Sequence, residues 1–334
     1  MTGIDLTIIW AGIIAFAVVV YVIMDGFDLG IGILFPNFKV GPERDTAMNS
    51  IAPVWDGNET WLVLGGGGLL AAFPLAYAII LPALYAPLIA MLLGLVLRGV
   101  AFEFRWRDPA HRAIWDVAFT TGSVVATFAQ GVTLGALLQG ITVEGRAYAG
   151  GWWEWLTPFS LLTGFALLAG YALLGCCWLI WKTEGPLQRQ CYSYAGRLGI
   201  LLLLAIIAVS AATPFLEAQY YHRWLASPGI IATAQIPLAT AIVSFLFFRS
   251  LSKRKEVQPF LYALLLFGLC LIGLGVSMWP DIIPGRVTIW EAAAPYDSQI
   301  FMLVGAAIMV PIILGYTAWA YWVFRGKVGS DGYH

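Results

Sequence analysis

The apolar stretch from residue 55 to residue 102 is the strongest constraint on what this chain can fold into. A membrane-crossing helix takes ~20 residues at a rise of ~1.5 Å each. Drawn as one helix, this stretch would run roughly 70 Å, about twice the thickness of a bilayer core. It has to fold back on itself, and Pro74 marks the place, because proline interrupts the helical hydrogen-bond ladder. Two helices, 55–73 and 77–102, are therefore expected, joined by a short apolar turn.

Similar blocks recur at 6–34, 114–139, 156–181, 195–213, 229–248, 258–279 and 299–324. Together they predict nine transmembrane helices in a single integral membrane domain over residues 1–334, an all-α polytopic protein. The composition agrees: 60% of residues are hydrophobic and 11% charged, against about 25% charged in soluble domains. Continuous apolar blocks exclude a β-barrel, whose strands alternate over ~10 residues. The net charge of −1 argues against a nucleic-acid partner. The first helix begins near Leu6 with no basic leader and no small-residue cleavage site after it, so no cleavable signal peptide is expected.

Orientation is read from the basic residues. Fifteen of the eighteen Lys and Arg fall on one set of alternate connections and the C-terminus, with Arg98 and Arg197 counted at their nearest helix ends. The other set carries three, Arg146, Arg223 and Arg286. The bias predicts an outside N-terminus and a cytoplasmic C-terminus. Trp152, Trp153, Trp155, Tyr192, Tyr194, Tyr220, Tyr221, Trp224, Trp319, Tyr321 and Trp322 gather near helix ends, the pattern of an interfacial anchoring belt. Cys176, Cys177, Cys191 and Cys270 form no C-x-x-C and read as small apolar core residues.

Acidic residues in such a chain point to function, because a carboxylate is expensive at membrane depth. The first helix contains Asp25 and Asp28, three apart and so on one face. Gly26, Gly30 and Gly32 run beside them as a small-residue stripe suited to close helix contact. The second helix opens with "PVWDGNETW", in which Asp56 and Glu59 are again three apart. The first helix runs ~30 Å from residue 5 to residue 25, so both acid pairs are expected at the same, cytoplasmic, depth. A helix N-terminus favours acids, and Asp56 read alone could be a cap. That account does not extend to Asp25 and Asp28, which lie in the C-terminal half of a helix, where the dipole disfavours anions. A joint polar cluster conducting protons inward is the sharper reading. Arg98 and Glu103 flank the end of the third helix, and Arg98 either snorkels to the interface or pairs with an acid of the cluster. The run Gly65–Gly68 lacks the Lys-Ser/Thr of a phosphate loop and reads as helix packing.

His111, His222 and His334 all fall outside the predicted spans. A haem held between helices wants a buried His or Met. Met24, Met91, Met302 and Met309 are available, but on apolar helices they read as packing. No metal site and no bound cofactor are expected of this chain.

The segments "MDGFDLGIGIL", "NSIAPVWDGNETWL", "LRGVAFEFR", "TIWEAA" followed by Ser298-Gln299, and "VPIILGYTAWAYW" resemble subunit II of the cytochrome bd-type quinol oxidases, in order and from the first helix to the last. The short loops and "TIWEAAAPYDSQ" are similar to the cyanide-insensitive branch. The resemblance implies two four-helix bundles plus one peripheral helix, packed against a subunit I that holds haems b and d and the quinol site. It implies a complex in the respiratory electron-transport chain of the bacterial inner membrane, which oxidises quinol and reduces oxygen to water with protons taken from the cytoplasm. It also allows a structural quinone or lipid in the bundle, and a small accessory membrane subunit. By the same resemblance Asp56 belongs to the proton route, Asp28 lies near it, and Glu59 stands at a position that varies.

Two other readings fit the residues. A proton-coupled secondary transporter would also place paired acids in Gly- and Pro-interrupted helices, although no inverted repeat is visible. A structural membrane scaffold is the third. The topology is open to direct test: an alkaline phosphatase fused after Tyr333 should be inactive, and activity there would overturn the predicted orientation.

Overall fold

The computed structural model describes residues 5–328, so His334 lies outside the described residues. Helix α1 (Leu6–Leu34) opens on Asp5, whose side chain accepts from the Thr7 and Ile8 backbone N–H groups. A short α2 (Pro42–Asn49) leads to α3 (Trp55–Ala72), α4 (Pro74–Ala83), α5 (Tyr85–Arg107) and α6 (Arg112–Leu138). Helices α7 (Pro158–Lys182) and α8 (Gly185–Ala212) follow, then the short α9 (Ala218–Trp224) and α10 (Gly229–Thr233). The chain ends with α11 (Gln235–Ser252), α12 (Gln258–Met278), the one-turn α13 (Ile289–Ala292) and α14 (Tyr296–Val323). Two small antiparallel hairpins cap one face of the molecule: β1 (Val143–Glu144) with β2 (Ala147–Tyr148), and β3 (Asp281–Ile283) with β4 (Val287–Thr288).

Eight helical segments among the described residues are long and apolar enough to cross a membrane, and the bent pair α3–α4 makes a ninth if it is counted as one span. The expected third span differs from what is found. It does not begin at 77. Pro74 starts the separate ten-residue α4, turned by 119° from α3, and the long helix begins only at Tyr85. The cause is local. Pro74 bars the residue before it from helical conformation, and Phe73 takes φ −132° and ψ 62°. Leu84 makes a second break, and Pro87 then sits in the first turn of α5, where its missing N–H costs nothing. The Ala72 carbonyl, left open at the end of α3, accepts instead from the Ala294 N–H at 2.8 Å.

Helices α1, α3, α5 and α6 form one group and α7, α8, α11 and α12 a second, with α7 buried between them against α1, α6, α8 and α12. Helix α14 lies outside both, touching α1 and α3, and none of its apolar span is buried. Gln299 pins its start by donating to the Ala294 carbonyl at 2.8 Å, while the Trp10 indole donates to the Gln299 carbonyl at 3.1 Å. The "TIWEAA" segment forms a capping box in which Thr288 and Glu291 bond reciprocally, and Trp290 donates to Asp5 at 2.8 Å.

Glycine sets the central helix spacing. A Cβ at Gly30 would lie 1.8 Å from the Tyr171 carbonyl oxygen, and one at Gly175 would lie 2.6 Å from the Gly30 carbonyl carbon. Helices α1 and α7 therefore meet backbone to backbone, as small residues permit. The Gly65–Gly68 run contributes less than expected: Gly65 and Gly68 face Val18 and Ile14, but nothing lies within 4 Å of a Cβ at Gly66 or Gly67. Gly30→Val should accordingly cost about 1–3 kcal/mol or more through forced separation of α1 and α7. Gly66→Ala should be tolerated. The thermal midpoints of the two purified variants test the contrast.

Candidate functional site

The polar centre of the chain is built on the second half of α1. Asp25 and Asp28 are both fully buried. The Arg98 Nη1, from α5, reaches Asp25 Oδ1 at 2.6 Å, and both side chains are inaccessible to solvent. Arg98 therefore does not snorkel, and it should not be counted among the charges at helix ends. It also lies over the Trp55 ring, 6.0 Å from its centroid, and Trp55 stacks on Phe102 at 5.0 Å.

Asp28 takes a different partner. Asn58 Nδ2, from the first turns of α3, donates to Asp28 Oδ2 at 2.7 Å. The Asn58 Oδ1 in turn accepts from the Tyr321 hydroxyl on α14 at 2.9 Å. A hydrogen-bonded line thus runs from α14 through α3 to α1. A second line lies on the other side of Asp25: Gln130 of α6 donates to the Tyr21 hydroxyl at 2.7 Å and accepts from the Tyr171 hydroxyl at 3.1 Å. Asp25 Oδ2, Asp28 Oδ1 and Arg98 Nε and Nη2 are buried and have no hydrogen-bond partner among the described residues. One guanidinium thus faces two carboxylates, and the cluster retains both acceptor and donor capacity.

Not every candidate joins this cluster. Asp56 is exposed, in the first turn of α3, and makes no side-chain cap bond there; Val54 is the cap position. Glu59 is half-buried and within electrostatic reach of Arg98, Asp25 and Asp56. Glu103 is exposed and pairs with Arg107 at 3.5 Å, one helical turn away, rather than with Arg98. Sequence alone does not single out Asn58 and Tyr321. Asn58 stands inside the same "WDGNE" motif, where the neighbouring acids are the stronger signal. Tyr321 reads as part of the aromatic belt, yet its hydroxyl is committed to Asn58.

A separate charged clasp lies where α2 meets the α5–α6 turn. Asp116 accepts from Arg105 Nε at 2.5 Å and from Arg44 Nη1 at 2.7 Å, and Arg105 Nη1 also reaches Asp45 at 2.8 Å. Arg105 is fully buried there, so it is a packing element as well as a charge near a helix end.

Residues 6–324 match the family model of cytochrome bd terminal oxidase subunit II, and the chain belongs to that family. It is 28% identical to the "Cytochrome bd-I ubiquinol oxidase subunit 2" of Escherichia coli K12, over 98% of this chain and 96% of the relative. It is also 28% identical to the "Cytochrome bd ubiquinol oxidase subunit 2" of Bacillus subtilis 168, over 96% of each. Its fold resembles a chain of the bd oxidase from Geobacillus thermodenitrificans, with a TM-score of 0.77 at 15% identity, covering 97% of this chain and all of that one. The transporter reading is set aside by this membership.

Neither described histidine is buried. His111 sits on an exposed turn against Asp108, and His222 is exposed on α9. Met91 is packed in the apolar core, Met24 and Met302 lie against apolar clusters, and Met309 is exposed along α14. No step is therefore assigned to a haem held by this chain.

The Asp25–Arg98 pair makes an energetic prediction. Arg98→Met alone should cost about 3–5 kcal/mol, because it leaves buried carboxylates unpaired, whereas Asp25→Asn should cost less, since Asp28 still faces Arg98. The double variant Asp25→Leu/Arg98→Met should be more stable than Arg98→Met. Thermal unfolding of the three purified complexes checks the order.

Proposed function

We propose that this chain is the haem-free subunit of a terminal quinol oxidase, packs against a haem-bearing subunit I, and passes protons from the cytoplasmic side toward oxygen reduction in that partner. The names of its relatives support ubiquinol as the reductant class at the level of the complex. The N-terminus is outside and the C-terminus cytoplasmic, as the Lys and Arg bias argues. Without Arg98 that bias stands at fourteen to three of the remaining seventeen basic residues. The haems b and d and the quinol site belong to the partner. A bound quinone or lipid in the helical bundle and a small accessory subunit are compatible additions.

The observation that carries the proton reading is the buried Asp28–Asn58–Tyr321 line beside the Asp25–Arg98 pair. Asp56 is the exposed collector at the mouth of α3, and Glu59, one turn on and half-buried, connects it to the cluster. Asp28 and Asp25 receive what Glu59 delivers. One cation faces two buried acids, and the negative charge left over is one that a proton can neutralise and then release. A carboxylate at Asp56 loads a proton from water, whereas an amide of the same size cannot.

Asp56→Asn should therefore slow oxidase turnover per haem roughly a hundredfold or more, the low end of what removal of a proton-transferring group does, while haem content stays normal. Asp56→Glu should keep part of the activity. Asp28→Asn should have the smaller effect, or act on assembly through the tight Gly26 and Gly30 contacts with α7. Normal turnover at normal haem content in Asp56→Asn would end the relay reading. Loss of haem content would make Asp56 structural.

A further inference from the structure

Helix α14 carries Tyr321, and with none of its apolar span buried it meets the rest of the chain through partly buried residues such as Leu303 and Ile313. What holds its far end comes from another part of the molecule. Lys182, the last residue of α7, is buried and donates from Nζ to the Phe324 carbonyl at 2.5 Å and to the Gly326 carbonyl at 3.0 Å. Those carbonyls lie just beyond the end of α14, where the helix dipole favours a cation. The same ammonium lies over the rings of Trp178 and Trp181, at 5.1 Å and 5.6 Å, and forms no ion pair among the described residues. A cation buried without a carboxylate spends its donors on whatever is presented to it. Here that is the tail of α14.

Further bonds close the strap. The Val328 N–H donates to the Lys182 carbonyl at 2.8 Å, and Lys327 Nζ donates to the Thr183 carbonyl at 3.0 Å. Lys327 also pairs with Glu256 at 2.9 Å, but both side chains are partly exposed, and such pairs contribute little. Lys182 is the buried member, and it is connected to the functional line through aromatic packing. Trp178 stacks on Phe27 at 4.2 Å, between Asp25 and Asp28 in sequence, and meets Tyr321 edge-on at 6.2 Å.

We propose that Lys182 is a positioning residue for the site: by capping the end of α14 from α7, it holds the Tyr321 hydroxyl in hydrogen-bonding register with Asn58 and Asp28. The inference rests on the proton reading for its effect on turnover, and on geometry alone for the docking of α14. It assigns the second helix group a role in the chemistry of the first, through a lysine that touches none of the acids.

The test uses the purified oxidase complex carrying Lys182→Met, Lys182→Arg, Tyr321→Phe, or Lys182→Met with Tyr321→Phe. Hydrogen–deuterium exchange over 318–328 reads the docking of α14. Turnover per haem reads its consequence. Lys182→Met should speed exchange across that segment and lower turnover roughly three- to tenfold, the scale of one lost hydrogen bond. Lys182→Arg should restore most of both. Tyr321→Phe should lower turnover by a similar factor, and the double variant should fall no further than either single one. Unchanged exchange in Lys182→Met overturns the proposal, since the strap would then be held by other bonds. Faster exchange with an undiminished Lys182→Met effect in the Tyr321→Phe background also overturns it, because Lys182 would then act by another route. Normal turnover in Tyr321→Phe, with Asp56→Asn and Asp28→Asn slow, overturns it while leaving the proton reading standing. Normal turnover in all the acid variants defeats the proton reading instead, and the exchange result alone then decides whether Lys182 docks α14. Should Lys182→Met fail to assemble, Lys182→Gln keeps one donor for Phe324 and should give intermediate exchange; wild-type exchange in that variant counts against the ammonium.

Discussion

Asp25 and Arg98, 2.6 Å apart and closed off from solvent, form the interaction on which the first helix group depends. In a low-dielectric interior neither charge can be left alone without a penalty of several kcal/mol, so α1 and α5 must meet at this depth and in this rotation. The surrounding contacts tighten the requirement. Gly30, beside the pair on α1, admits α7 until backbones touch, Gly26 takes the Tyr171 ring at close range, and Gly94, one turn before Arg98 on α5, meets the backbone of α6 at Gly122 and Ala126. A charge pair that tolerates little misalignment is thus framed by contacts that tolerate no Cβ. Four helices are located by one ion pair and the glycines around it.

The two ends of the molecule are held differently. At the α2 end, buried and half-buried arginines share two aspartates, and Arg105 contributes ring contacts to Phe35 and Trp106 as well as charge. At the hairpin end, backbone capping dominates: Ala294 satisfies Ala72, and Gln299, Trp10, Trp290 and Asp5 tie the start of α14 to the start of α1. Helix α14 is thus tied at both ends and delivers one hydroxyl to the polar centre.

The site unites residues whose roles are unequal. Asp25 is committed to an ion pair and Asp28 to an amide, although both arise from one short motif. Asp56 stays exposed on the surface of the chain. Glu59 lies between the two environments. Burial thus changes along a single turn of α3, and Asp56 makes no cap bond there.

The sequence by itself determined the membrane class, the approximate places of most long helices, the shared face of Asp25 and Asp28, and the glycine stripe beside them, although α5 begins at Tyr85 rather than 77 and α8 at Gly185 rather than 195. These follow from residue type and from the helical period, which are properties of each segment alone. Only the tertiary structure decided what stands opposite. Periodicity says that Arg98 points to one side of α5, but not that Asp25 rather than Asp28 is there, nor that Glu103 turns back to Arg107. It marks Tyr321 as an interfacial aromatic and Lys182 as a helix-end charge, because both stand where such residues anchor many helices. Their partners, Asn58 and the carbonyls of Phe324 and Gly326, belong to segments more than a hundred residues away. The separate α4 was hidden for a related reason: Pro74 signals a break, but the chain direction after a break is chosen by packing, and an apolar run reads the same in either direction. Choosing one partner among several of like chemistry takes the relative depth and rotation of two helices, and those exist only once the helices have packed.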